Sequence, residues 1–204
     1  MTDDHDIEDE RGGARPGRPS ARRAPQRAAA EYALLGLIAQ TEAGEIHGYD
    51  LARAFSESSL GKIIRLESGM LYHYLKKLAK DEYIRSRIER QSGRPDRQVH
   101  TLTPEGNAAL RDWIGAPVGA TREIRLEFLI KLYLARNIDP AHAAALVSEQ
   151  RSVMRSRTER LAKQLSDPQP DDADTTFGES VLRLRLTQTQ AALDWLDTLP
   201  ESRD

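Results

Sequence analysis

The chain has no cysteine. That excludes a disulfide framework and any thiolate metal site. Aromatic residues make up only 5% of its 204 positions. Leu, Ala and Ile must therefore fill most of any core, which favours packed helices over a large sheet. No apolar run approaches the length of a membrane span. The N-terminal residues lack the apolar segment of a secretory signal, so the cytoplasm is the expected location. There is no Gly-rich phosphate loop and no Ser in a nucleophile elbow. His5, His47, His73, His100 and His142 are scattered, none with a ligand-like partner at helical spacing. Neither a metal, a cofactor nor catalysis is expected.

An excess of positive charge is also missing: 30 Lys and Arg face 32 Asp and Glu, for a net charge of −2. The distribution says more than the sum. Residues 1–10 hold Asp3, Asp4, Asp6, Glu8, Asp9 and Glu10 and no base, whereas residues 11–30 hold Arg11, Arg15, Arg18, Arg22, Arg23 and Arg27 and no acid. Between Lys76 and Arg97 stand eight bases and four acids. Positive potential is thus focused on two short segments, both suited to phosphate. The first lies in residues 1–29, which show no hydrophobic period and cannot offset their ordering entropy. They read as a disordered, acidic-then-basic arm. It is either a soluble tail or an electrostatic arm of the kind that reaches into minor grooves.

Structure is expected from about residue 30. Tyr32, Leu34, Leu35, Leu37 and Ile38 mark an apolar helix. His47-Gly48-Tyr49 reads as a packed lead-in to a second short helix over Asp50–Phe55, and Ser56–Gly61 as a loop. In a third helix, Ser68–Asp81, the spacing of Leu71, Leu75 and Leu78 puts them on one face. His73, Lys76, Lys77 and Lys80 take the other. Two strands follow, Tyr83–Glu89 and Gln98–Leu102, joined by a turn containing Gly93, Arg94, Pro95 and Arg97. Thr103-Pro104 and Asp139-Pro140 are cap-plus-Pro helix starts. Between them, Thr121–Ala135 is apolar almost all round and must be covered on several sides. A long helix runs to about Leu165, an acidic linker covers Asp167–Thr175, and a last helix spans Thr176–Leu199.

The fold class is therefore mainly α with a small two-stranded β-wing. A winged helix-turn-helix over residues 30–115 precedes a C-terminal helical dimerisation domain over 120–199. In such a layout the third helix fits the major groove, the one before braces it, and the hairpin adds phosphate contacts. Tyr72, off the docking stripe, and His73, Lys76 and Lys77 are candidates for contact with double-stranded DNA. So are Arg94 and Arg97, which flank a Pro at the hairpin tip. Trp113 and Trp195 are candidate walls for a small aromatic effector, or else core residues. The apolar positions from Leu182 to Leu196 serve either dimerisation or packing within the subunit. A winged helix that binds another protein, without contacting an operator, is the alternative.

Residues 31–110 resemble the PadR-like family of bacterial regulators. The resemblance is carried by Leu35-Gly36-Leu37-Ile38, His47-Gly48-Tyr49-Asp50-Leu51, Ser68-Gly69-Met70-Leu71-Tyr72, Leu75-Lys76-Lys77-Leu78, Gly93-Arg94-Pro95 and Leu102-Thr103-Pro104-Glu105-Gly106, in that order. It implies a homodimeric repressor, paired through its C-terminal helices, that a small molecule can release from DNA. It also implies DNA contact by Ser68, Gly69, Met70, Tyr72 and Lys76 on the recognition helix, with Arg94 and Arg97 from the wing. The chain departs from the family pattern at several positions. Met70 stands where Thr or Ser is usual, Ser68 where Pro is common, and Glu82 where Gly is usual. Val99 and His100 stand where an aromatic pair is typical.

Overall fold

A computed structural model describes residues 27–42, 44–90, 97–167 and 173–200. Helix α1 (Arg27–Ala39) is its hub. Ala33, Leu34, Leu35 and Ile38 are wholly buried there, and α1 packs against both the sheet and four other helices. Strand β1 (Glu45–His47), α2 (Gly48–Glu57), the single turn α3 (Leu60–Ile63) and α4 (Ser68–Lys80) follow. Strands β2 (Ile84–Glu89) and β3 (Arg97–Leu102) pair antiparallel, and α5 (Pro104–Gly115) leads to the C-terminal half. There α6 (Thr121–Glu123), a π-helical turn over Ile124–Phe128, and α7 (Leu129–Ile138) run on without a break. Helices α8 (Pro140–Ser166) and α9 (Ala173–Asp197) complete the chain and pack on each other. One continuous apolar core runs from Ala29 to Leu196.

Several expectations need correction. The sheet has three strands, in the order β1-β3-β2, rather than two. Strand β1 aligns Glu45 with Thr101 and His47 with Val99, so the middle strand β3 is paired on both sides. Ser56–Gly61 is not all loop: α2 continues to Glu57, and Leu60, wholly buried, anchors α3. The arm expected over residues 1–29 lies outside the described residues as far as 26, and Arg27 already belongs to α1. Helix α9 starts at Ala173, three residues before the expected Thr176. Both cap-plus-Pro starts are present. The Thr103 hydroxyl accepts from the Gly106 amide at 3.0 Å, and an Asp139 carboxylate oxygen accepts from the Ala141 amide at 3.2 Å.

The end of α4 explains how the sheet is hung from it. The Tyr83 amide donates to the Leu78 carbonyl at 2.9 Å, and the Glu82 amide to that of Ala79 at 3.3 Å. This double closure is a Schellman motif, which needs a left-handed residue at Glu82. Its φ is +61°, a conformation that costs an L side chain about 1 kcal/mol. The Thr103 hydroxyl then donates to the Glu82 carbonyl at 2.7 Å. The close of α4 and the start of α5 thus share one hydroxyl. Gly106 sits so near this junction that an added Cβ would lie 2.1 Å from the Tyr83 carbonyl oxygen, a backbone atom with little room to move. Thermal unfolding should therefore separate two glycine exchanges of opposite sign. Glu82→Gly should stabilise the protein by about 0.5–1 kcal/mol, and Gly106→Ala should destabilise it by about 1–3 kcal/mol. Equal melting temperatures for the two variants would contradict this reading of the junction.

Candidate nucleic-acid interface

Helix α4 presents two unlike faces. Leu71, Tyr74, Leu75 and Leu78 are buried in the common core. They recur at i, i+3, i+4 and i+7, the pattern of a docked helix. Tyr74 completes this stripe and went unread in the sequence because a Tyr there is equally suited to solvent. The opposite ridge carries Gly69, His73, Lys76 and Lys80, all exposed. Lys80 thus joins the candidate set on position alone. Ser68 and Met70 open the helix, exposed at its N-terminal end. An ideal Cβ on Gly69 meets nothing within 4 Å, so the first turn leaves open space in front of the backbone.

Tyr72 stands at the edge of the ridge, 46% exposed. Its ring covers Gly48 at the start of α2, where an added Cβ would lie 3.0 Å from Cε1. Tyr72, Gly48, Tyr49, Arg97 and Gln98 line an open cleft of about 410 Å³. Tyr72 of α4 and Arg97 at the start of β3 thus line one cleft. Arg94 lies outside the described residues. Tyr49, expected in a packed lead-in, is instead 72% exposed on the cleft rim; only Gly48 of that trio is buried. Lys77 is not on the ridge. Its Nζ lies 2.7 Å from both carboxylate oxygens of Glu31 on α1.

The two tryptophans are apart in role. Trp113 stacks on Tyr32, with ring centroids 4.6 Å apart and planes 9° from parallel. The ammonium of Lys131 lies 4.8 Å from its centroid. Trp113 borders an open cavity of about 730 Å³ with Val118, Glu127, Lys131, Arg157 and Arg185 among its walls. Lys131 is 2% exposed. It donates to the Ala116 carbonyl at 2.7 Å and pairs with Glu127 at 3.1 Å. Burial still pulls its pKa below the usual lysine value, against the opposing pull of Glu127. Trp195 packs edge-on to Phe128 and does not line this cavity.

Comparison with known proteins gives the context. The transcriptional regulator PadR-like family profile matches residues 34–112, and the virulence activator alpha C-terminal profile matches residues 124–201. Residues 34–112 thus match the PadR-like family of transcriptional regulators. The chain is 27% identical over 180 residues to the negative transcriptional regulator PadR of Bacillus subtilis, covering 83% of this chain and 94% of that one. It is also 27% identical over 171 residues to a probable transcriptional regulator of Mycobacterium tuberculosis, covering 76% and 88%. Among solved structures, B. subtilis PadR bound to operator DNA matches at 25% identity and a TM-score of 0.43, over 86% of this chain and 97% of that one. The same regulator with p-coumaric acid matches at 25% identity and 0.38, over 83% and 95%. The relatives it matches are named as transcriptional regulators.

Where the chain departs from the PadR-like pattern at Val99 and His100, the sheet gains an unusual core group. His100 is 2% exposed on β3. Its Nδ1 meets the Ser86 hydroxyl at 2.9 Å, while Nε2 is buried, has no hydrogen-bond partner among the described residues and faces Gly48 at the cleft. Burial first, and His47 second, push its pKa below the ordinary 6.5. The folded protein therefore keeps this ring neutral while the unfolded chain protonates it near 6.5. Stability contributed by neutral His100 is complete above 6.5 and is lost as pH falls from there toward the lower folded value. Urea midpoints measured at about pH 7.5 and about pH 5.5 should show the decline, and His100→Phe should lessen it. An equal decline in both proteins would assign it to other groups.

Proposed function

We propose that the protein is a homodimeric, sequence-specific repressor in the cytoplasm that lays α4 into the major groove of a DNA operator. The observation that carries this reading is the outward ridge of α4. Gly69, His73, Lys76 and Lys80, with Tyr72 beside them, are all exposed on a helix seated by its opposite face. Ser68, Gly69 and Met70, at the helix N-terminus, reach base edges, as the first residues of recognition helices do. Tyr72, Lys76 and Arg97 take phosphates, and Arg94 joins them from the hairpin tip. Pairing of subunits is supported by an exposed apolar stripe on α9: Phe177 is 69% and Leu184 58% exposed, one heptad apart, with half-buried Val181 between them. The cavity beside Trp113 suits a small aromatic effector. Buried Lys131 near the indole favours one carrying an acid group.

A second reading has its own support. Tyr49, Met70, Tyr72 and Ile88 are large, apolar and exposed around the same ridge and sheet, which would suit a protein partner. Binding to duplex DNA from upstream of the protein's own gene, titrated by fluorescence anisotropy at several salt concentrations, separates the two. The repressor reading expects affinity that falls steeply with salt. It also expects a two-fold symmetric site with half-sites roughly 34–36 Å apart. Lys76→Gln should lower the salt slope by about 0.9 for each phosphate that the lysine neutralises. Gly69→Ala should fold at least as well as the wild type, since the added methyl is unopposed and Ala favours helix by about 0.8–1 kcal/mol. Weaker binding by that variant therefore reports a close approach of DNA. No sequence preference at any salt, with Lys76→Gln and Arg97→Gln disrupting a protein complex instead, would favour the second reading.

A further inference from the structure

Among the described residues, Lys77 is the one cation of α4 paired with another helix. Both carboxylate oxygens of Glu31 sit 2.7 Å from its Nζ, and Asp81 at the end of its own helix lies at 3.9 Å. The Glu31 side chain is 11% exposed, whereas that of Lys77 is 43% exposed. A carboxylate that grips an ammonium with two oxygens offers it what a DNA phosphate offers, two anionic acceptors at hydrogen-bond range. The two are competitors for one cation. The competition is biased, because lifting Lys77 onto a phosphate would leave Glu31 largely buried and without this partner. Removing one member of such a pair costs more than the pair is worth.

Glu31 is also held firmly. It lies on the hub helix, and the next residue, Tyr32, is stacked flat on Trp113 of α5. The carboxylate is thus part of a fixed wall rather than a mobile surface group. Phosphate contacts add affinity on any sequence and carry no base information. A cation withheld from the backbone therefore lowers binding to random DNA as much as binding to the operator. It leaves a larger share of the free energy to base contacts.

We infer that Glu31 is a charge-masking residue: it holds Lys77 off the phosphate backbone and so limits sequence-independent binding to DNA. The inference rests on the DNA-binding reading above. Its test is the salt dependence of affinity, measured on an operator duplex and on a scrambled duplex of equal length. The proteins compared are wild type, Glu31→Gln, Lys77→Gln and the double variant, each checked for folding by thermal melt. In Glu31→Gln the slope of log affinity against log salt should steepen by about 0.9 for each subunit engaged. Affinity should rise several-fold on both duplexes alike, and the operator-to-scrambled ratio should hold. Lys77→Gln alone should leave the slope where it was, and the double variant should lose the gain. If Glu31→Gln instead leaves the slope and both affinities unchanged, or weakens binding to both duplexes, the pair is a structural brace and the inference fails alone. A wild type that binds neither duplex overturns it together with the DNA-binding reading.

Discussion

The seating of α4 on the hub helix governs the rest. Leu71, Tyr74, Leu75 and Leu78 share one core with α1, and exposing one such side chain costs roughly 1.5–3 kcal/mol. Rotating the helix about its axis would expose several at once. Its orientation is therefore fixed by burial, and the ridge of Gly69, His73, Lys76 and Lys80 has one direction in which to point. The Glu31–Lys77 pair lies along the side of the same helix. The Schellman close at Glu82 and the shared Thr103 hydroxyl pin its end to the sheet and to α5.

The same hub joins the two halves. Gly36 of α1 lies so close to α7 that an added Cβ would fall 2.3 Å from a methyl of Leu134. Tyr32 stacks on Trp113, which borders the cavity walled by Lys131 and Glu127. Gln150 of α8 exchanges two hydrogen bonds with the Val118 backbone, at 2.7 and 2.9 Å, and so holds the segment that forms another wall. A molecule that displaced Trp113 would press on α1 directly, and through α1 on α4. This arrangement gives a small net-negative protein a focused positive edge and a physical route between cavity and edge.

Much of this was legible in the residues. Apolar spacing in Leu71, Leu75 and Leu78 gave the buried face of α4, and the two cap-plus-Pro pairs marked the starts of α5 and α8. What could not be read has common causes. Strand β1 is three residues long and shows no alternation that a loop would lack; it exists because β3 offers it an edge. The partner of Lys77 lies 46 positions away, and no local pattern announces an ion pair across two helices. Trp113 read either as a wall for an effector or as a core residue, and no local pattern told that Tyr32 stacks on one face of it. Glu82 looked only like a departure from its family, and the backbone shows its strain. Local periodicity, in short, reports burial faithfully and reports long-range pairing hardly at all.

The absence of cysteine makes one direct measurement practical. A single Lys80→Cys substitution gives a unique thiol at the C-terminal end of the exposed ridge, to which an iron–EDTA group can be attached. Bound to its operator, the labelled protein should cut DNA in two short clusters related by two-fold symmetry, roughly 34–36 Å apart. Cleavage spread evenly along the duplex, or none from this position while a label at Glu179 on α9 cuts efficiently, would contradict the claim that the face opposite Leu71 and Leu75 is the one that meets DNA.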